Sequence, residues 1–237
     1  MISEESKIFK CVAIIPARGG SKRLKRKNVV DFYGVPIIER VISNAKKSNL
    51  FTDVIVSTDD KEIADLSAKS KARVFMRGVI LSDDKATVVN VCADVLSRVK
   101  KELGYNPDMF CCIYATAVLL TKEDLIESYS LMSRKPAADV VMGVSKYEIH
   151  PLRAMEVRGD SFLTPKQSKG VSGKSQDFPD YCASNGTLYW ARSKSFFNNL
   201  TFYPKKLKGY YVPRDRAVDI DTLEDLEFAK LLFKRST

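Results

Sequence analysis

Six cations and no acid fall between residues 18 and 27: Arg18, Lys22, Arg23, Lys25, Arg26 and Lys27. They follow the apolar run Cys11–Ile15 and share their loop with Gly19, Gly20 and Ser21. Two glycines at the exit of a buried strand allow a tight turn that presents backbone N–H groups to an anion. A polyphosphate needs both parts, close backbone donors and several cations. The loop is neither a Walker A sequence nor a GxGxxG fingerprint, so a generic ATPase or dinucleotide enzyme is not indicated. A solvated basic loop is the plainer alternative.

A second group sits near the carboxyl end, in Val218-Asp219-Ile220-Asp221-Thr222. Two carboxylates two residues apart in extended backbone point the same way. Such a pair suits Mg²⁺, with phosphate oxygens and water completing the shell. The alternative is that Asp221 and Thr222 merely cap the following helix. A third group is Arg77 with Ser82-Asp83-Asp84-Lys85-Ala86-Thr87, a cation and a polar turn suited to a base edge, a phosphate or a helix cap.

The elements that must position these groups alternate at βαβ spacing. Strands are predicted at Cys11–Ile15, Val54–Ser57, Ala72–Met76, Met109–Ala115 and Asp139–Ser145. Helices are predicted from Pro36 to about Lys47, over 61–70 after a cap at Asp59 or Asp60, and over Thr87–Leu103. A further helix follows Thr121, whose partner Asp124 completes a capping box. This is the signature of an α/β fold, a mostly parallel twisted sheet with helices on both faces in three layers. The first loop then lies at the carboxyl end of a strand, where open α/β sheets bind ligands. After Tyr147 the pattern lapses. Residues 148–185 read as a protruding segment or lid, and the chain returns to the sheet at Thr187–Arg192. A strand at Gly209–Val212 and a helix over Leu223–Lys234, capped by Thr222 with Asp225, close a single domain spanning 1–237.

Composition narrows the classes. Of 237 residues 45% are hydrophobic, enough to build a core and to exclude disorder. The formal net charge of +10 calls for a polyanionic partner. It is concentrated in residues 1–30 and 192–216, each with a net charge of +6. The first concentration is the phosphate loop; the second reads as solvated surface. The basic loop has no interleaved aromatics, so a nucleic-acid-binding module is a distant alternative. Five cysteines without a CxxC pair read as reduced thiols of a cytoplasmic protein. The amino-terminal residues lack the cations of an export signal, and the longest apolar stretch, Met109–Leu120, is too short to span a bilayer.

Ile14-Ile15-Pro16-Ala17-Arg18-Gly19-Gly20-Ser21-Lys22-Arg23 with Lys27-Asn28 resembles the opening signature of the CMP-sialic acid synthetase family, cytidylyltransferases that activate nine-carbon keto-sugar acids. The resemblance continues in family order through Val56–Asp60, Arg77–Thr87, His150–Arg153, Ser184–Tyr189 and Val218–Thr222. Tyr114-Ala115-Thr116-Ala117 and Ser175–Pro179 look most like the bacterial pseudaminic acid enzymes. The resemblance implies a Rossmann-like nucleotidyltransferase fold and a Mg²⁺-dependent reaction of CTP with the acid, giving a CMP-sugar and pyrophosphate. It implies catalytic roles for Arg18, Lys22, Asp219 and Asp221, and Mg²⁺ on the two aspartates. Nucleotide contacts are implied for Arg18, Gly20, Ser21, Lys22, Lys27, Asn28, Arg77 and Ala86. Tyr114, Arg153, Gln176 and Asn185 would meet the acid. It also implies a homodimer formed through 148–185, with neither nucleic acid nor membrane as partner. A nucleotidyltransferase for an eight-carbon keto-sugar acid and a glycosyltransferase with a DxD pair are the enzymatic alternatives. His150, the only histidine, is expected to pack or hydrogen-bond, leaving a carboxylate or a metal-polarised water as base.

Overall fold

A computed structural model describes residues 9–78, 81 and 86–236. Strand β1 (Cys11–Pro16) is an interior strand of a seven-stranded sheet. Its successive side chains enter opposite cores: Cys11, Ala13 and Ile15 on one face, Val12 and Ile14 on the other. That two-sided burial explains why the strand is continuously apolar rather than alternating. Each buried isoleucine contributes about 1.5–3 kcal/mol.

The chain continues through the short hairpin β2 (Asp31–Phe32) and β3 (Val35–Pro36) into α1 (Ile37–Lys47). It then runs through β4 (Asp53–Thr58), α2 (Lys61–Lys69), β5 (Arg73–Met76), α3 (Val88–Leu103), β6 (Met109–Ile113), α4 (Lys122–Ser133) and β7 (Val140–Lys146). A separate hairpin, β8 (Met155–Val157) and β9 (Leu163–Pro165), precedes the short α5 (Ser168–Ser172). Long strand β10 (Cys182–Arg192), α6 (Ser193–Asn199), β11 (Leu207–Tyr211) and α7 (Leu223–Ser236) complete the chain.

The sheet order is β11-β7-β10-β6-β1-β4-β5. Every neighbouring pair is parallel except those made by β10, which runs antiparallel between β6 and β7. Helices α1, α2 and α4 pack on one face, and α3 and α6 on the other. The three-layer α/β fold, mostly parallel, is therefore the one expected. Because β4 and β6 flank β1 on opposite sides, a crevice opens between the carboxyl ends of β1 and β6.

The last strand starts two residues earlier than expected, at Leu207 rather than Gly209, and two further boundaries bear on the site. β6 ends at Ile113, because Ala117 and Val118 already donate to the carbonyls of Tyr114 and Thr116 in a turn. The returning strand starts at Cys182, not Thr187, pairing Cys182, Ala183 and Ser184 with Lys146, Ser145 and Val144. The last four residues assigned to the protruding segment thus belong to the main sheet. They carried no strand signal because a register shift between Ser184 and Tyr189 breaks their alternation.

The second concentration of positive charge is not merely solvated surface. Arg192 donates to the carbonyls of Ala138 and Met132, and Lys208 to those of Leu131 and Arg134. These cations close the carboxyl end of α4, whose own last turn contains no basic residue. Arg216 grips the other end of α4 through a two-pronged bond to Asp124, at 2.8 and 2.9 Å. Lys205 and Lys206 remain exposed.

Candidate active site

A cleft of about 370 Å³ lies at the carboxyl edge of β1, β5 and β6. It is lined by Arg18, Arg23, Lys27 and Asn28 from the basic loop, Arg77 and Ala86 from the β5–α3 connection, Tyr114 and Thr116 after β6, and Asp219 and Asp221. Residues from four separate stretches of sequence thus meet at the topological switch point.

The loop is held in place by acids from the end of β4. The Gly19 N–H donates to Asp59 Oδ1 at 2.9 Å. Asp60 caps α2 by accepting from the Ile63 N–H, and both its oxygens also accept from the Arg26 guanidinium. Arg26 bonds Glu62 as well. That network holds the Asp60 carboxyl below its ordinary range, the Arg26 bond being the largest cause. A side chain at position 19 would come within 2.6 Å of the Asp60 carboxylate, so the close approach of loop and acid requires glycine there. Asn28, 6% exposed, donates from Nδ2 to the Arg18 carbonyl at 2.8 Å and pins the far side of the loop. Sequence reading credited Asp59 and Asp60 only with a helix cap. The signal available was their position at a strand's carboxyl end, opposite a cationic loop.

Among the described residues Val218–Asp221 has no strand partner, yet its side chains alternate as an extended segment should. Ile220 is fully buried in a cluster with Phe32, Ile37, Leu226 and Ala229, while Asp219 and Asp221 face the cleft. Thr222 and Asp225 form the predicted box at the start of α7, the Thr222 N–H donating to Asp225 at 2.8 Å. Capping therefore falls to these two residues and leaves the Asp221 carboxylate for the cleft. It accepts from Lys27 Nζ at 2.8 Å and from Arg23 at 2.6 Å, so loop and acid pair are joined. Asp219 accepts from the Thr116 hydroxyl at 3.3 Å. Its carboxyl is pushed above the ordinary value, first by partial desolvation among crowded protein atoms and then by the Asp221 charge. Asp219 keeps solvent access at the mouth of the cleft. Gly186 adopts φ +66° directly beside Asp219.

The other expected residues divide. Arg77 lines the cleft, but Nε and Nη2 already donate to the Ser57 hydroxyl and carbonyl at 2.9 and 2.7 Å. Burial lowers the pKa of this guanidinium. Ala86 is in the lining, whereas Ser82, Asp83, Asp84 and Lys85 lie outside the described residues. Gly20, Ser21 and Lys22 are in the loop but not in the cleft wall. Asn185 donates to the Ser145 hydroxyl at 3.1 Å and accepts from Thr187.

Arg153 and Gln176 are not in the wall either. They lie in the segment 147–181, where Arg153 donates to Ser175 at 2.9 Å and stacks over Phe178. His150 organises that segment: its Nδ1 accepts from the Leu152 N–H, its Nε2 meets the Pro179 carbonyl, and its ring stacks on Tyr181. This is the packing role expected for it.

A site with basic loop, buried arginine and paired carboxylates at a switch point defines a nucleotidyltransferase. The cytidylyltransferase family profile matches residues 12–232, and the chain belongs to that family. It is 34% identical to the pseudaminic acid cytidylyltransferase of Campylobacter jejuni, over 95% of this chain and 97% of that protein. It is 27% identical to the CMP-N,N'-diacetyllegionaminic acid synthase of Legionella pneumophila, with the same coverage. Among solved structures, a CMP:2-keto-3-deoxy-manno-octonic acid synthetase complexed with CTP superposes with TM-score 0.69 at 17% identity, covering 96% of this chain and 100% of that one. That likeness confirms the fold. Among the described residues, no helix is long and apolar enough to cross a membrane.

Proposed function

We propose that the protein transfers CMP from CTP to a nine-carbon keto-sugar acid of the pseudaminic or legionaminic kind. The observation that carries this reading is the meeting of the cationic loop with Asp219 and Asp221 across one cleft. The two relatives named above, each matched over nearly its whole length, supply the acid class. The acid's anomeric oxygen forms a bond to the α-phosphorus as the bond from that phosphorus to the bridging oxygen breaks. Pyrophosphate leaves, and the hydroxyl proton passes to solvent.

In this reading the loop around Arg18, Ser21 and Lys22 cradles the β- and γ-phosphates, and Asn28 and Arg77 flank the nucleoside. Phosphoryl transfer depends mainly on such positioning and on stabilising charge. Asp219 and Asp221 fit Mg²⁺. They are two carboxylates on one wall, one already raised by the other, and Mg²⁺ is usually held by one or two carboxylates plus substrate phosphates. The bound ion supplies charge neutralisation at the phosphates. Arg23 and Lys27, which pair with Asp221, are then placed to turn toward the leaving pyrophosphate.

The segment 148–181 works as the dimer element and carries Arg153 and Gln176 to the neighbouring subunit's acid. Its exposed apolar side chains support this: Ile149, Val157, Phe162, Leu163 and Val171 are each between 59% and 75% exposed. So large an apolar display calls for a partner surface. The protein works in the cytoplasm, where thiols stay reduced. The chemistry is tested by labelling the anomeric hydroxyl with ¹⁸O. The label is expected in the CMP-sugar bridge; its loss to water, as attack of a phosphate oxygen on the anomeric carbon would give, would refute this direction of attack.

A further inference from the structure

The edge of the sheet opposite the cleft takes no part in the reaction proposed above. Strand β10 runs antiparallel, so its carboxyl end lies beside the amino ends of β7 and β11. Three connections therefore surface together there: α4 to β7, β10 to α6, and α6 to β11. Backbone bonds tie them. The Asp139 N–H donates to the Lys206 carbonyl at 2.8 Å, and the Arg192 N–H to the Asp139 carbonyl at 3.0 Å. Each connection brings exposed cations: Arg134 and Lys135 from the first, Lys194 from the second, Lys205 and Lys206 from the third. No acid occurs in the sequence between Ser193 and Arg214. Asp139, half-buried at the foot of β7, is the acid of the first connection.

Apolar side chains share this edge. Phe196 and Phe202 anchor α6 and the turn after it in the core, both against the Phe110 ring. Phe197, Leu200 and Tyr203, spaced three apart, are instead 45%, 56% and 65% exposed. Lys194 stands one turn before Phe197 on the same stripe. Leu200 ends α6 at φ +45°, its N–H donating to the Phe196 carbonyl at 2.7 Å. Glycine fills such a left-handed cap without strain, whereas a leucine there is strained. The fold thus holds an aliphatic side chain in water at a position where its absence would be easier. Leucine has no ring on which a nucleic-acid base could stack. An apolar tip flanked by lysines fits the boundary between water and hydrocarbon, where lysine stems cover apolar surface and their ammonium groups reach headgroups.

We propose that this edge docks the protein on an anionic lipid bilayer, with Phe197, Leu200 and Tyr203 entering the headgroup layer and the flanking cations meeting lipid phosphates. Such contact is peripheral and needs no spanning helix. The cleft, at the opposite edge of the sheet, stays open to solution. A membrane is not among the partners that the resemblance implies; the exposed cations and the apolar tip together call for one. Each basic residue near an anionic surface strengthens binding about fivefold. Docking here does not depend on the reaction proposed above.

Co-sedimentation of the full chain with lipid vesicles tests the proposal. Binding is expected to equimolar phosphatidylglycerol and phosphatidylcholine at about 0.1 M salt, with none to phosphatidylcholine alone. Release is expected at about 1 M salt, where the Debye length shrinks to about 3 Å. Lys205→Ala combined with Lys206→Ala should weaken binding about twentyfold or more. Leu200→Gly should weaken it about fivefold while the melting temperature holds or rises, because glycine relieves the left-handed strain. Absence of binding by the wild-type chain to the anionic vesicles, or full binding by both variants, would overturn the proposal. Equal binding to neutral vesicles would overturn it too. So would stronger retention by single-stranded RNA at the same phosphate concentration, which would make the edge a nucleic-acid surface. A lower oligomeric mass of the variants in light scattering without lipid would give the edge to a second copy of the chain and would likewise overturn it.

Discussion

At the carboxyl edge of the sheet, the groups of the cleft and its basic loop are held by second residues: Gly19 by Asp59, Arg26 by Asp60, Arg77 by Ser57, Asp221 by Lys27. In the segment from Tyr147 to Tyr181 the polar contacts, the Glu148–Arg214 pair aside, are local, such as His150 with Pro179 and Arg153 with Ser175, and large apolar side chains face solvent. One region is complete within a single chain; the other presents a surface that asks for a second body. On the proposed function, the contrast follows from what each region binds: a nucleoside triphosphate would meet a preorganised, charge-matched cradle, and the acid would meet residues placed where the scaffold constrains them least.

Three substitutions sharpen that contrast, from the largest effect to the smallest. Asp221→Asn removes one cleft carboxylate without touching the α7 cap. Pyrophosphate release should fall by at least about 10²–10³, with the melting temperature unchanged, since loss of one preorganised electrostatic partner has that cost. Arg26→Ala unties the loop from Asp60 but leaves the α2 cap in place. It should lower kcat/KM for CTP by about 10²-fold through misplacement of the loop, with little change in KM for the acid. An equal effect on both substrates would mean that the clamp supports the whole site rather than its nucleotide half.

The third substitution probes the frame. Asp124 is buried, and burial alone would raise its carboxyl. The bonds from Arg216, the Thr121 N–H and Tyr210 outweigh this and hold it below the ordinary range. A depressed folded-state pKa contributes stability that is present above the unfolded pKa and lost as pH falls through the folded one. The melting temperature should therefore drop below about pH 4, the ordinary carboxylate value. Asp124→Asn should cost about 2–3 kcal/mol at neutral pH, since it strands Arg216, and should flatten that acid limb. Calorimetry against pH checks both parts.

The nucleotide half was legible in the sequence because its residues are close together and chemically distinctive. The run from Arg18 to Asn28, the Asp219–Asp221 pair and the boxes at Thr121 and Thr222 all stand where local pattern places them. What stayed hidden depends on long-range partners. Arg192 and Lys208 look like surface charge until the carbonyls of α4, more than fifty residues away in sequence, are seen to end against them. The start of β10 is polar and bulged, so periodicity marks only its apolar half. Asp60 looks like a cap and is also a clamp, because Arg26 reaches it from 34 residues upstream. Among the described residues, Val218–Asp221 keeps a strand's alternation without strand partners, since Ile220 and Val218 pack into one cluster and turn the two carboxylates the other way.

The most direct measurement of the central claim is pyrophosphate release from CTP and Mg²⁺ with a panel of acids: pseudaminic, diacetyllegionaminic, N-acetylneuraminic and an eight-carbon keto-sugar acid. The account predicts release with a nine-carbon diacylamino acid, equimolar with a CMP-sugar product and far above that with the eight-carbon acid. A folded protein that releases none with any nine-carbon acid, or that prefers the eight-carbon one, would contradict it.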